Sequence, residues 1–371
     1  MKVQIEKEHL LGLIGRSQNI VEKRNTMPVL INVLLDVEDT NLKLFATNLE
    51  VSLTDYAQAK IFEPGKVAVN AKNLFDIVKE LQDGPITLEK QENNWLKITQ
   101  FKSVFNIVGI SPDEYPIFPT YSTKEFISFD AKALTEMIEK TIYSVSNDET
   151  RYHLNGVFFE NLKSGSDIHH RMVATDGHRL SLIDIPANGE NSGNNGGVII
   201  PRKGLAEIRK LLDSVEGEFK MAIEGSQLIV KKGSTVLMIR LIEGKYPNYK
   251  QLIPQNLSKK VNVSRESLLS SLKRVSLLSN QKSKGVTLCL TEGKMKITSN
   301  NPELGDAQEE IDVDYSGEEL KIGFNAKYIL DVLGSFSDES VDINLNDQLS
   351  PGIIRPAGSE NYTCVVMPMR I

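Results

Sequence analysis

The sequence predicts an α+β protein made of three copies of one domain, each with two helices packed on antiparallel sheets. Three observations carry that expectation. The stretches VNAKNLFDIVKEL from Val69, IPRKGLAEIRKLLD from Ile200 and GFNAKYILDVLGSF from Gly323 share one pattern: a short apolar run, a basic residue (Lys72, Lys203, Lys327), then apolar residues at helical spacing. They recur at roughly 125–130 residues, which is about a domain length and not a solenoid period. Each is preceded, in the same order, by an amphipathic helical segment and by strands of alternating polarity.

In chain order, EHLLGLIGRSQNIV from Glu8 opens the first copy, KALTEMIEKTIYSV from Lys132 the second and ESLLSSLKRVSLLS from Glu266 the third. In the later helix of the second copy, Leu205, Ile208, Leu211 and Leu212 form the apolar stripe. Strands follow each opening helix. In the third copy Val286, Leu288 and Leu290 alternate with polar residues, and Glu292-Gly293 supplies a hairpin turn. The copies close with GISPDEYPIFP, LIEGKYPNYKQLIP and VVMPMRI, which sets domains at 1–121, 122–251 and 252–371. ANGENSGNNGG, 187–197, reads as a flexible surface loop in the middle copy.

With 371 residues and 40% hydrophobic content, the chain can fill several cores. The charged start MKVQIEKEHL has no apolar h-region, and runs such as Val33 to Leu35 are too short to span a bilayer, so a cytoplasmic location and no membrane partner are expected. Two cysteines, Cys289 and Cys364, fit a reducing compartment. A net charge of −6 argues on average against nucleic acid, although an average hides a segregated surface. There is no GxxxxGK[ST] loop, no strand–GxGxxG–helix fingerprint and no GxSxG elbow. No catalytic residue, metal or cofactor is expected.

MVATDGHRLSL, 172–182, holds the residue types of an acid–base site: Asp176, His178 and Arg179 around Gly177. It aligns with LKLFATNLEVSL in the first copy and MKITSNN in the third, where Asp176 matches Asn48 and Asn300 and no histidine stands nearby. The stretch therefore reads as a strand, a polar turn needing glycine, and a second strand. A hydrolase built on Asp176 and His178 is the competing reading. His169 and His170 with Asp167 match no standard zinc spacing and read as solvated loop histidines.

TMPVLINVLL, TDGHRL, IPRKG, YPNYKQLIP, LSNQKSKG, ITSNNPE, DVDYSGEELKIGFNAKYILDVL and VVMPMRI, spread in order over nearly the whole chain, resemble the bacterial DNA polymerase III beta subunit family, the sliding clamps. The resemblance implies a head-to-tail homodimer whose six domains form a ring around double-stranded DNA without sequence preference, with helices lining the hole. It also implies partners that carry short clamp-binding motifs: the polymerase III catalytic subunit, the clamp loader, other polymerases and repair proteins. Residue by residue, it marks Arg24, Tyr152, Arg202, Lys203, Lys282 and Lys284 as DNA-facing. It places Phe105 and Ile107 opposite Leu277 and Leu278 at the dimer contact. The implied peptide pocket comprises Leu154, Thr175, Gly177, His178, Arg179, Leu180, Pro247, Leu252, Val365, Met367, Pro368, Met369 and Arg370, with Asn325 and Tyr328 at the rim.

Local charge agrees with such a bore. From Arg265 to Lys284 the basic residues are Arg265, Lys273, Arg274, Lys282 and Lys284 against Glu266 alone, while Glu303, Asp306, Glu309, Glu310 and Asp312 crowd a strand region. The same charges are also what ordinary solvated helix faces carry, and a monomeric nucleic-acid-binding module is a further alternative. Asp148, Glu149 and His153 depart from the family pattern beside Tyr152.

Overall fold

A computed structural model describes every residue except 22–26, 165–166, 188–195, 216, 256 and 371. Arg24 and most of the Asn/Gly-rich 187–197 stretch thus lie outside the described residues. Six α-helices occupy the described residues: α1 (Lys7–Ser17), α2 (Ala71–Glu80), α3 (Ala131–Glu139), α4 (Arg202–Ser214), α5 (Arg265–Val275) and α6 (Ala326–Gly334). All six lie on the predicted segments, overrunning them by at most one residue. The opening helices end earlier than their periodicity suggests, because hydroxyls take the carbonyls of the last turn: Ser17 Oγ donates to Ile14 O at 2.7 Å, Thr141 Oγ1 to Met137 O at 2.7 Å and Ser276 Oγ to Lys273 O at 3.1 Å. Asn70 and Asn325 cap α2 and α6 through their side-chain oxygens; Pro201 stands before α4 in the middle copy.

The chain divides into two compact units, Met1–Ala131 with Lys203–Leu241, and Lys132–Arg202 with Ile242–Ile371. In the first, a nine-stranded antiparallel sheet runs in the order Gly109–Ile110, Gly65–Asn70, Asn32–Glu38, Asn41–Thr47, Val51–Gln58, Thr235–Arg240, Gln227–Lys232, Phe219–Glu224, Ile127–Phe129. Strands of the first and second copies thus share one sheet, with Thr54 opposite Val236. A buried carboxylate fixes this seam. Asp55 is held by Arg16 Nε at 2.5 Å, Ser234 Oγ at 2.7 Å and Thr235 Oγ1 at 3.0 Å. Gly204 lets α4 approach this sheet closely, since a Cβ there would stand 2.5 Å from Ile239 Cγ2. The predicted α4 stripe, Leu205, Ile208, Leu211 and Leu212, is buried. The unit's second sheet has five strands and ends at the edge strand Ser103–Ile107.

The second unit has an eight-stranded sheet ordered Val198–Pro201, Gly156–Ser164, Asp167–Thr175, Arg179–Pro186, Tyr362–Val366, Gly352–Pro356, Ser340–Leu345, Lys259–Ser264. Copies two and three meet in it, with Leu180 opposite Val365. A four-stranded sheet completes the unit, with Gly305–Asp312 at one edge and Leu320–Asn325 at the other. Val286, Leu288 and Leu290 are buried, as their alternation requires, and Gly293 makes the hairpin turn at φ +68°.

The polar turn recurs three times, with one correction to the expected alignment. Asn48 Oδ1 accepts from Glu50 N and Val51 N, and Asp176 Oδ1 from His178 N and Arg179 N. In the third copy the acceptor is Asn301 and not Asn300: Asn301 Oδ1 takes Glu303 N at 3.0 Å, because the strand Lys294–Asn301 extends one residue further before it turns.

Candidate functional site

Along the strand that follows the turn, Leu180 and Leu182 project to the same face. Neighbouring strands add Val173, Ile199, Ile353 and Val365; Leu154 comes from the 3-10 segment Glu149–Leu154, and Tyr246 and Tyr249 come from the loop leading into the third copy. These nine residues form one buried apolar cluster, flanked by partly buried Phe158, Ile242, Ile253 and Leu257. Phe158 stacks on Tyr246 with centroids 5.0 Å apart and planes at 10°. In the chain segments that supply this floor, Leu252 and Met367 are 43% and 42% exposed, Pro247 and Pro368 half-buried, and His178 exposed. Two of these segments are joined directly, Met367 N donating to His178 O at 2.9 Å.

The predicted pocket residues therefore divide by role. Leu154, Thr175, Leu180 and Val365 are floor, each at most 5% exposed. Gly177 occupies φ +89°, a conformation that calls for glycine; a Cβ there would come within 2.9 Å of Arg151 Nη1, the end of a flexible side chain that can move aside. Thr175 Oγ1 donates to Arg179 O at 2.6 Å and accepts from Gly177 N; Tyr246 OH accepts from Thr175 N at 3.1 Å. Burial raises the Tyr246 phenol well above its ordinary range, and burial together with its hydrogen bond to Glu160 pushes Tyr249 up to about 12. Both phenols stay neutral donors or acceptors.

Arg179, expected in one wall of the pocket, has its side chain enclosed by other groups. It is buried, with Nε 3.1 Å from Asp176 Oδ2, Nη1 2.6 Å from Asp331 Oδ2 and Nη2 donating to Tyr143 O. Met369 and Arg370 also leave the apolar cluster. Met369 N donates to Gly323 O, and both residues line a separate polar cleft of about 430 Å3 with Asn280, Ser283 and Thr298. Asn325 is committed to capping α6, and Tyr328 is half-buried under the Arg179 guanidinium, 4.6 Å from its ring centroid.

The described basic candidates are all exposed. Tyr152 is 56% exposed on the Glu149–Leu154 segment, and Arg202 at the start of α4 donates to Asn147 Oδ1 at 2.7 Å. Lys203 lies 3.6 Å from Glu50. Lys282 and Lys284 share one turn, with Lys284 at φ +50°. Asp148 accepts from Thr150 Oγ1 at 2.6 Å, from Thr150 N and from Arg151 Nε, 2.9 Å away, and these bonds, the Thr150 hydroxyl first, hold its pKa below the usual range.

At the edges, Phe105 and Ile107 lie on Ser103–Ile107, where Phe105 lines a cleft of about 640 Å3 with Ile77, Leu81, Phe101 and Lys102. In the other unit Leu277 is 75% exposed and Leu278 half-buried, on the 3-10 turn after α5.

Sequence reasoning missed Arg151, Phe158, Tyr246, Tyr249 and Ile353. YPNYKQLIP offered a signal for the tyrosines, since two aromatic residues flank a proline where a copy closes. His169 and His170 lie on the strand Asp167–Thr175, not in a solvated loop. His170 is buried, stacked on Phe159 at 5.8 Å, with Nδ1 2.7 Å from Asn161 Oδ1.

Three family models match the chain: the N-terminal domain of the DNA polymerase III beta subunit at residues 1–119, its central domain at 128–248 and its C-terminal domain at 250–370. Among curated relatives, the beta sliding clamp of Caulobacter vibrioides is 34% identical over 373 residues and that of Escherichia coli K12 34% over 372, each covering 100% of both chains. Among solved structures, the Caulobacter crescentus beta sliding clamp with PEG bound to a putative beta-motif tethering region has a TM-score of 0.95 at 34% identity. The Bartonella birtlesii sliding clamp bound to griselimycin has 0.95 at 32%; both cover 100% of each chain.

Proposed function

The chain belongs to the bacterial DNA polymerase III beta subunit family, the sliding clamps, and we propose that it closes as a head-to-tail dimeric ring on duplex DNA and tethers polymerase through its apolar pocket. Members of the family are processivity factors that bind DNA and polymerase and carry out no catalysis. The three domains in this reading are 1–121, 122–251 and 252–371.

One observation carries the pocket: the buried cluster around Leu180 and Val365 has partly buried Phe158, Ile242, Ile253 and Leu257 packed on it, and exposed Leu252 and Met367 adjoin it in the chain, next to Ile253 and to Val366. Such a surface takes short linear peptides, whose apolar side chains fill the floor while their backbone groups bond at the rim. Methionine at the rim adapts to several partners, here the polymerase III catalytic subunit, the clamp loader, and other polymerases and repair proteins. Binding is favoured over hydrolysis because the Asp176 carboxylate already accepts from two backbone N–H groups and from Arg179.

Ring closure in this reading uses two sheet edges. Ser103–Ile107 and Gly305–Asp312 are each an edge strand with one side unpaired among the described residues, and pairing them between two copies would continue the sheet. Leu277 and Leu278 would enter the partner's cleft beside Phe105 and Ile107. Arg24, Tyr152, Arg202, Lys203, Lys282 and Lys284 would face DNA through weak, exchangeable phosphate contacts, since tight ones would stall a sliding ring.

The test is a chain lacking residues 367–371. It should lose binding of a fluorescein-labelled peptide derived from the cognate polymerase III catalytic subunit, read by anisotropy, and still sediment as a dimer. Unchanged peptide affinity would remove the pocket assignment.

A further inference from the structure

Asp331, which is not among the predicted pocket residues, stands on α6 with its carboxylate 2.6 Å from Arg179 Nη1. We infer that Asp331 is a positioning residue of the peptide pocket, acting through Arg179 on the turn that forms the pocket wall; this rests on the reading of that pocket as a peptide site.

The guanidinium is clamped on every side. Its nitrogens meet Asp176 Oδ2, Asp331 Oδ2 and Tyr143 O, and its central carbon lies over two rings, 5.3 Å from the Tyr143 centroid and 4.6 Å from that of Tyr328. Tyr328 and Asp331 are one helical turn apart, on one face of α6, so a single helix supplies both a stacking ring and a carboxylate. Only a planar, multiply donating cation uses all of these partners together.

The clamp governs the wall through Asp176. One Asp176 oxygen bonds Arg179 Nε, and the other caps His178 N and Arg179 N, so the side chain that fixes the turn is itself fixed by the guanidinium. His178 then offers its carbonyl to Met367 N at 2.9 Å, which sets where the exposed methionine of the rim begins. The His178 ring also lies parallel to Tyr328, 15° between planes and 6.4 Å between centroids. Without the Asp331 carboxylate, Arg179 retains Asp176, Tyr143 and the Tyr328 ring but loses its charge-assisted hydrogen bond to α6. The wall then samples orientations that a peptide must select against, and apparent affinity falls by the fraction competent to bind.

Peptide affinity of the full-length dimer should be measured with the same labelled polymerase peptide. Asp331→Ala is expected to weaken binding by about tenfold, the scale of one charge-assisted hydrogen bond, with most of the loss recovered in Asp331→Glu. Added to Arg179→Ala, it should cause little further loss, because both changes break one linkage. Alanine favours helix at this position; should that variant fail to fold, Asp331→Asn gives the same comparison at equal size. Wild-type affinity in a folded Asp331→Ala protein, or losses that add in full, would overturn the assignment. If removal of residues 367–371 abolishes binding while Asp331→Ala leaves it intact, this inference alone falls; if the truncated chain binds as wild type, the pocket reading falls and takes this inference with it.

Discussion

His170 shows how one buried side chain ties stability to pH. Burial first, and the neighbouring His169 second, hold its pKa down to about 4 from an ordinary 6.5. Between those values the unfolded chain binds a proton at this position and the folded chain does not, so unfolding takes up protons and stability falls as pH drops. The contribution is complete above about pH 6.5, declines as pH falls towards about 4 and changes no further below that. Urea midpoints taken at about pH 7.5 and about pH 5 should therefore differ more for the wild type than for His170→Gln. An equal difference would mean that the acid sensitivity arises elsewhere. At the same scale, Leu180 and Arg179 are adjacent and divide the work: one is floor, the other a strut.

Secondary-structure elements join the copies and leave specific edges open. The seam at Val51–Gln58 and Thr235–Arg240 carries the Asp55 network, whose carboxylate draws on the first helix and on a hairpin turn of the second copy. Ser103–Ile107 and Gly305–Asp312 have no partner on one side among the described residues. Long open edges are a liability in a monomer, and a second copy of the chain is the cover proposed above. Leu277 and Leu278 test this directly. With Leu277 exposed and Leu278 half-buried, neither belongs to the buried core of the folded monomer, and as interface anchors they would contribute much. Replacing both with alanine should give a folded monomer by sedimentation, with an unchanged far-ultraviolet circular dichroism spectrum. A stable dimer would point to a different interface.

For the molecule as a whole, the ring reading proposed above requires charge segregation within a chain of net charge −6. A ring that stays on DNA by topology needs only weak phosphate contacts, so binding to linear duplex should be slight and should fall steeply with salt, while a loaded circular duplex should retain the protein. Lys203→Glu should weaken binding to linear duplex at low salt by about 1 kcal/mol and flatten the salt slope. Its neighbour Glu50, 3.6 Å away, already offsets part of that lysine's charge, which keeps the expected loss small. Filter binding over a salt series measures both quantities. Unchanged binding in the variant would exclude Lys203 from the contact surface.

The sequence by itself determined the triplication, all six helices, the hairpin at Gly293 and the need for glycine at 177, because helical and strand periods and turn chemistry are local and repeat visibly in the chain. It also brought TDGHRL, the tyrosine-rich closing segment and the chain end into one candidate site through family resemblance. Only the tertiary structure decided that His170 is buried, that Asn301 and not Asn300 makes the third turn, and that Met369 and Arg370 line a second cleft. It alone joined Arg179 to an aspartate 152 positions further along the chain. The physical reason is register: which face of a strand is covered, and which distant carboxylate meets a buried guanidinium, follow from how remote strands and helices align, and no local period records that alignment.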